Sequence, residues 1–106
     1  MTMTRHFQTE RVDRFIYIAT KIGLGEVVFK EEREDTLKGY GRVIIEITST
    51  GIKKVIDAKE NKLITMYLLT EKELRCHIKN PTVALRNKVR KNAEKGYISM
   101  QNKIKF

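Results

Sequence analysis

The chain has one cysteine, Cys76, and two histidines, His6 and His77. An internal disulfide is therefore excluded. No pair of histidines, or of cysteine and histidine, stands at metal-ligand spacing, so neither a dedicated metal site nor another cofactor is expected. Tryptophan is absent, and with one proline, Pro81, and six glycines there is no low-complexity linker. No apolar run exceeds five residues, Phe15–Ala19 being the longest, far below the roughly 20 that a helix needs to cross a bilayer. The first residues, Met1-Thr2-Met3-Thr4-Arg5-His6, lack the apolar core of a signal peptide. The expectation is a cytoplasmic, reducing location without a membrane span.

Other chemistries fall on the same grounds. Gly23-x-Gly25 and Gly39-x-Gly41 have no third glycine, no following lysine and no strand-to-helix setting, so neither is a nucleotide loop. Ser49 and Ser99 sit in no nucleophile elbow. Cys76 and His77 are adjacent, and adjacent residues on a helix point in different directions, so Cys76 is expected to be a small buried side chain.

What is present is a chain of 106 residues, 41% hydrophobic and 33% charged, the balance of one globular domain with a modest core. Lysine and arginine outnumber aspartate and glutamate by 22 to 13. The excess is polarised. Residues 1–74 hold 13 basic and 12 acidic side chains, whereas residues 75–106 hold nine basic side chains and one acid, Glu94, a net of +8. Such a field draws polyanions by counterion release, and nucleic acid is the first candidate, RNA ahead of DNA. Solvation of the chain is the second reading of this charge, and an anionic membrane surface ranks below both.

Along the chain, Val12, Phe15, Ile16, Ala19 and Ile22 recur at helical spacing, which predicts an amphipathic helix from Thr9 to Ile22, capped by Thr9 and ended by Gly23 or Gly25. Glu26–Lys30 reads as a short strand, and the acidic cluster Glu31, Glu32, Glu34 and Asp35 as a solvated loop. Val43, Ile45 and Ile47 alternate with polar residues from Arg42 to Thr48, and Ser49-Thr50-Gly51 turns the chain into a second strand, Ile52–Asp57. Lys62–Leu69, the most apolar segment, predicts a strand covered on both faces and central in the sheet. Thr70-x-x-Glu73 fits a capping box opening a short helix. Asn80 as N-cap and Pro81 at the first helical position predict a basic helix from Pro81 to about Lys95, ended by Gly96. In the tail, Ile98, Met100, Ile104 and Phe106 alternate with polar residues, which predicts an edge strand or self-association through residues 97–106. The class is α+β: an N-terminal helix, a four-stranded mainly antiparallel sheet with helices on one side, a basic C-terminal helix and a short tail strand.

Cleaving RNA without metal needs a base for the 2′-hydroxyl proton, cations for charge on the phosphate oxygens, and hydroxyl donors. His6 is the candidate base or acid, because an imidazole titrates near working pH. Arg11 and Arg14, three apart and off the apolar stripe of the first helix, are the candidate guanidinium forks. Thr65 and Tyr67, two apart on a strand, place two hydroxyls on one face. With His6, Arg11 and Arg14 around the first helix, the hairpin Ile47-Thr48-Ser49-Thr50-Gly51 and the segment Ile64-Thr65-x-Tyr67, residues 6–69 resemble the barnase, colicin and RelE-type group of small ribonuclease folds, which has relatives in prophages and toxin modules. The resemblance implies a metal-independent ribonuclease of toxin type, acting on tRNA or ribosome-associated mRNA, with the basic C-terminal segment holding the substrate.

A second class is a non-enzymatic RNA- or DNA-binding or adaptor protein of a mobile element. In it Arg86, Lys88, Arg90, Lys91 and Lys95 contact nucleic acid or an acidic partner and no bond is broken. Sequence-specific DNA reading ranks third, because the segment before Pro81 offers no clear helix-turn-helix.

Overall fold

The structure, a computed structural model, describes residues 2–3, 12–35 and 41–103. Its elements in chain order are β1 (Thr2–Met3), α1 (Val12–Lys21), β2 (Val27–Asp35), β3 (Gly41–Thr48), β4 (Ile52–Asp57), β5 (Lys62–Leu68), α2 (Glu71–His77), α3 (Val83–Glu94) and α4 (Tyr97–Lys103). Strands β2 to β5 form an antiparallel meander, and β1 adds two residues in parallel to β5, giving the order β1-β5-β4-β3-β2. The class is α+β.

The sheet is apolar on both faces because both β4 and β5 carry branched or large apolar residues at odd and even positions. On one face Ile52, Ile56, Leu63, Met66 and Leu68 pack with Ile18 of α1 and with Tyr97 and Ile98 of α4. On the other, Ile47 and Leu69 pack with Leu74 of α2 and with Leu85 and Val89 of α3. Helices therefore cover both faces, not one as the element order suggests. The chain passes from the second face back to the first at Gly96, whose φ of +77° ends α3.

Five local expectations need correction. The acidic segment Glu31–Asp35 is part of β2, paired with β3 along its length; its outward acids are held by Arg42, whose Nε lies 2.9 Å from Glu32 Oε1. An edge strand tolerates such charge because its outer side is wet. β5 is covered on both faces as expected, yet it is not central, since only the two residues of β1 lie beyond it. α3 begins at Val83, with Thr82 as N-cap accepting from the Leu85 amide at 3.2 Å, so Asn80 and Pro81 precede the cap. Residues Tyr97–Lys103 form a helix rather than an edge strand, docked by Gln101, which is 3% exposed. Its side-chain amide accepts from the Leu68 amide at 2.8 Å and donates to the Leu68 carbonyl at 3.1 Å, closing part of β5 as a neighbouring strand would. Cys76 is exposed, not buried.

The inward row of α1 also differs from the expected one. Ile18 is fully buried and Ile16 is 55% exposed, so the helix faces the sheet through Ile18 and Ile22. Arg14, four residues before Ile18, falls on this inward row rather than off the stripe.

The turn after β3 ties these parts together. Thr48 Oγ1 accepts from the amides of Thr50 and Ile52 and lies 3.0 Å from Thr50 Oγ1. Thr50 Oγ1 in turn donates to the Gly23 carbonyl at 3.0 Å, and Asn92 Nδ2 of α3 donates to the Thr50 carbonyl at 2.9 Å. Gly51 has φ +84°, and a Cβ there would lie 3.0 Å from Asn92 Nδ2 and 3.1 Å from Val89 Cγ2; Gly23, also at φ +84°, has nothing within 4 Å. Both glycines meet the same backbone penalty on gaining a side chain, about 1–2 kcal/mol, but only Gly51 also presses on α3. Gly51→Ala is thus expected to destabilise the domain by about 1 kcal/mol more than Gly23→Ala, measured by urea unfolding; equal losses would show that α3 yields freely at this contact.

Candidate nucleic-acid interface

Two groups of polar side chains stand out, and both lie at the α2–α3 side of the sheet. The first lies around the link between α2 and α3. Arg75 lies in the last turn of α2, Lys79 and Asn80 follow the helix, Pro81 fixes the chain before the Thr82 cap, and Arg86 returns from the first turn of α3. Together they line a pocket of about 290 Å³. Lys79 and Arg86 make no ion pair among the described residues, and Arg86 Nε is buried without a hydrogen-bond partner. Arg75 is partly neutralised: its Nη2 lies 3.4 Å from Glu71 Oε1, which also meets Arg90 Nη2 at 3.7 Å.

The five cations expected to contact nucleic acid or an acidic partner fall on two flanks of α3. Leu85, Val89 and Asn92 are the buried residues of the helix. At 100° per residue, Arg86 and Arg90 fall on one flank of this row, toward Glu71 of α2, and Lys88, Lys91 and Lys95 on the other. Arg75 and Lys79 belong with Arg86 and were not singled out in the sequence, where they stand apart as isolated cations. Their spacing to Arg86 has meaning only once the chain reverses at Asn80–Pro81.

The second group sits on the sheet. Strand register places Phe29, Ile47, Lys53 and Tyr67 in one row across β2 to β5, and Glu73 and His77, four apart on α2, lie over it. The His77 ring is 6.3 Å from that of Phe29, and Lys53 Nζ is 5.5 Å from the centre of the Tyr67 ring. The α2 cap fixes Glu73: its amide donates to Thr70 Oγ1 at 3.2 Å, and the Thr70 hydroxyl donates back to its carboxylate. The carboxylate thus engages the threonine hydroxyl rather than the threonine amide that a capping box uses.

Burial sets the acid–base character of this row. Lys53 is 8% exposed with no carboxylate at ion-pair distance among the described residues, and burial, helped by Arg33, lowers its pKa. Burial also pushes the Tyr67 phenol up to about 12, with the charge of Glu73 and a hydrogen bond to it adding to the effect and Arg33 and Arg14 opposing it. Tyr67 is therefore a proton donor to hydrogen bonds at neutral pH, not a base. His77 is lowered first by burial and then by Lys53 and Arg33, against Glu31 and Glu73, which favours the neutral imidazole.

Of the residues expected to form a catalytic set, His6 and Arg11 lie outside the described residues. Arg14 is brought within electrostatic reach of Tyr67. Thr65 and Tyr67 project from the same face of β5, opposite Val55 and Lys53. Lys53, Glu73 and His77 join Tyr67 without having been singled out. A lysine between Ile52 and Val55 with a second lysine beside it reads as strand polarity, and only the register shows that Lys54 pairs with Glu46 at 3.7 Å on one face while Lys53 is left unpaired on the other.

His77 gives this row a signature in stability. Its folded-state pKa lies below the ordinary value of 6.5, so the unfolded chain binds more protons just below that pH and stability falls as pH drops from about 6.5 through the folded-state value. The urea midpoint is expected to decline between pH 7.5 and pH 5.5, and the decline to be smaller in His77→Gln; an identical decline in both proteins would remove the imidazole from the buried row. Compared with known proteins, the chain matches no family model, no curated protein and no solved structure, so the site is read from its own geometry.

Proposed function

We propose that this domain binds RNA, with the α2–α3 end of the sheet as its phosphate-binding surface. The observation that carries the reading is the pocket in which Arg75, Lys79 and Arg86 converge, two of the three making no ion pair among the described residues, within a segment of net charge +8. Charge that folding could have dispersed or paired is instead collected at one point, which suits an anionic ligand. RNA is favoured over duplex DNA because α3 splits its cations between two flanks. A helix reading base edges in a major groove needs one outward row of polar side chains, whereas phosphate contacts need only charge.

RNA binding is expected to weaken linearly on a log–log plot against salt, and Lys79→Ala and Arg86→Ala each to reduce the slope by about 0.7–1. Fluorescence anisotropy across a salt series measures this. Unchanged slopes in both variants would take the pocket out of the interface.

A second reading, a metal-independent ribonuclease of toxin type, is supported by the row on the sheet. The lowered pKa of His77 favours the neutral imidazole that could take the 2′-hydroxyl proton, Lys53, with no carboxylate at ion-pair distance among the described residues, is suited to the phosphate oxygens, and Tyr67 is a hydrogen-bond donor beside Glu73. The attacking 2′-oxygen would pass its proton to His77 and bond to phosphorus as the bond to the 5′-oxygen breaks, that oxygen taking a proton from water, to give a 2′,3′-cyclic phosphate and a 5′-hydroxyl. Incubation of RNA with the protein in EDTA is expected to yield that product, with cleavage falling by about 10²–10⁴-fold in His77→Ala and binding retained. Binding with no cleavage in the unaltered protein would leave the non-enzymatic RNA-binding or adaptor role.

A further inference from the structure

Beside the cationic pocket lies an apolar groove of about 300 Å³, whose walls include Val28, Ile78, Ala84 and Leu85. Both cavities are bounded by Asn80 and Pro81, so they are neighbours on either side of one short ridge. Each is close to the lower end of the size range of small-ligand sites, roughly 300–1,000 Å³. Proline fixes the ridge backbone before any ligand arrives, which reduces the ordering cost of binding. The groove owes its outer wall to an irregularity in the sheet. Between Val27, opposite Thr48, and Phe29, opposite Ile47, the register shifts and leaves Val28 without a partner. This bulge turns Val28 outward, where it is 53% exposed.

We infer that one unpaired nucleotide straddles the Asn80–Pro81 ridge, its phosphate in the Arg75–Lys79–Arg86 pocket and its base in the apolar groove, so that the ligand is single-stranded. The inference rests on the RNA-binding reading and adds the form of the nucleic acid. A nucleotide joins a compact anion to a flat, weakly polar ring through one sugar, and the ridge joins a cationic pocket to an apolar groove in the same way. The Arg86 guanidinium lines the pocket and makes no ion pair among the described residues, so its N–H groups are the donors that a phosphate oxygen would meet. In a duplex the bases are stacked and paired, and none is free to enter a groove beside a phosphate site. Aliphatic walls accept the faces of any base, so little sequence preference is expected.

The test compares three labelled probes on the full chain by fluorescence anisotropy at low salt: a short single-stranded RNA, the same RNA annealed to its complement, and an abasic ribose-phosphate oligomer of equal length. The single strand is expected to bind about tenfold or more tightly than either of the others, from burial of one base. Val28→Asn, an uncharged change at an exposed position, is expected to remove most of that advantage and leave the abasic affinity unchanged, while Lys79→Ala weakens all three. Equal affinity for the abasic oligomer and the single strand overturns the inference while leaving RNA binding intact. So does equal affinity for the duplex, or displacement of the RNA by a polyglutamate peptide as readily as by unlabelled RNA. Absence of binding by all three probes overturns the RNA-binding reading itself.

Discussion

The fold depends on how the turn Thr48-Ser49-Thr50-Gly51 disposes of its polar groups. Thr48 is fully buried, and a buried hydroxyl without partners costs about 1–3 kcal/mol. Each hydroxyl in the turn has one proton to give. If Thr50 donates to the Gly23 carbonyl, it must accept from Thr48, and Thr48 is then left to accept from the amides of Thr50 and Ile52. The donor order runs one way, from β3 through the turn to the loop after α1. Ser49 extends it to the start of β2, where its Oγ accepts from the Glu26 amide at 3.1 Å. Gly51 completes it on the other side, its carbonyl accepting from Leu69 at 2.9 Å while its missing side chain admits α3.

The proposed binding surface inherits its geometry from that turn. α3 is placed by Asn92 on Thr50 and by Val89 against Gly51, and its first turn carries Arg86 into the pocket. Leu69, bonded to Gly51, starts the segment whose Thr70 caps α2, so the position of Arg75 traces to the same residue. The groove wall at Val28 hangs on β2, which the turn anchors through Ser49. Pocket and groove thus share one mechanical origin although their residues come from β2, α2 and α3.

What the sequence disclosed and what it concealed follow one physical division. Period-two apolar alternation in Arg42–Thr48 and the glycine at 51 specify a hairpin because each reflects purely local sterics, and β3 and β4 form there. Thr70, Glu73 and Gly96 likewise mark helix ends through bonds made within four residues. Where charge or short length competes with pattern, the local signal misleads. Glu31–Asp35 looked too charged to be a strand, yet an edge needs only one apolar side and an available partner strand. Residues 97–103 fit both periods over so few positions, and the choice falls to Gln101, whose buried amide finds unfilled main-chain groups on Leu68. The candidate site was partly legible: Tyr67 from its strand, Arg86 from its helix. Arg75, Lys79, Lys53 and His77 were not, because what brings them into a site is the reversal at Pro81 and the register of β4 with β5, neither of which leaves a mark on the residues themselves.

The placement of Glu71 shows how the pocket is kept both assembled and charged. One carboxylate contacts Arg75 on its own helix and Arg90 on the next, and all three groups are 40–59% exposed, so the pairs contribute little to stability, about 0–1 kcal/mol. Their effect is positional. They link α2 to α3 on the side where Arg75 approaches Arg86, while no carboxylate among the described residues lies at ion-pair distance from Lys79 or Arg86. Three like charges around one pocket repel one another, and that repulsion weakens the folded state in which they are held together. An anion bound in the pocket, as proposed, would relieve that repulsion, so binding and folding would reinforce each other by mass action. The pocket differs in this from Lys54 on the opposite face, where Glu46 lies 3.7 Å away and both side chains are 13% exposed: that charge is met from within the fold, whereas an anion of the proposed kind would have to meet the charges of Lys79 and Arg86.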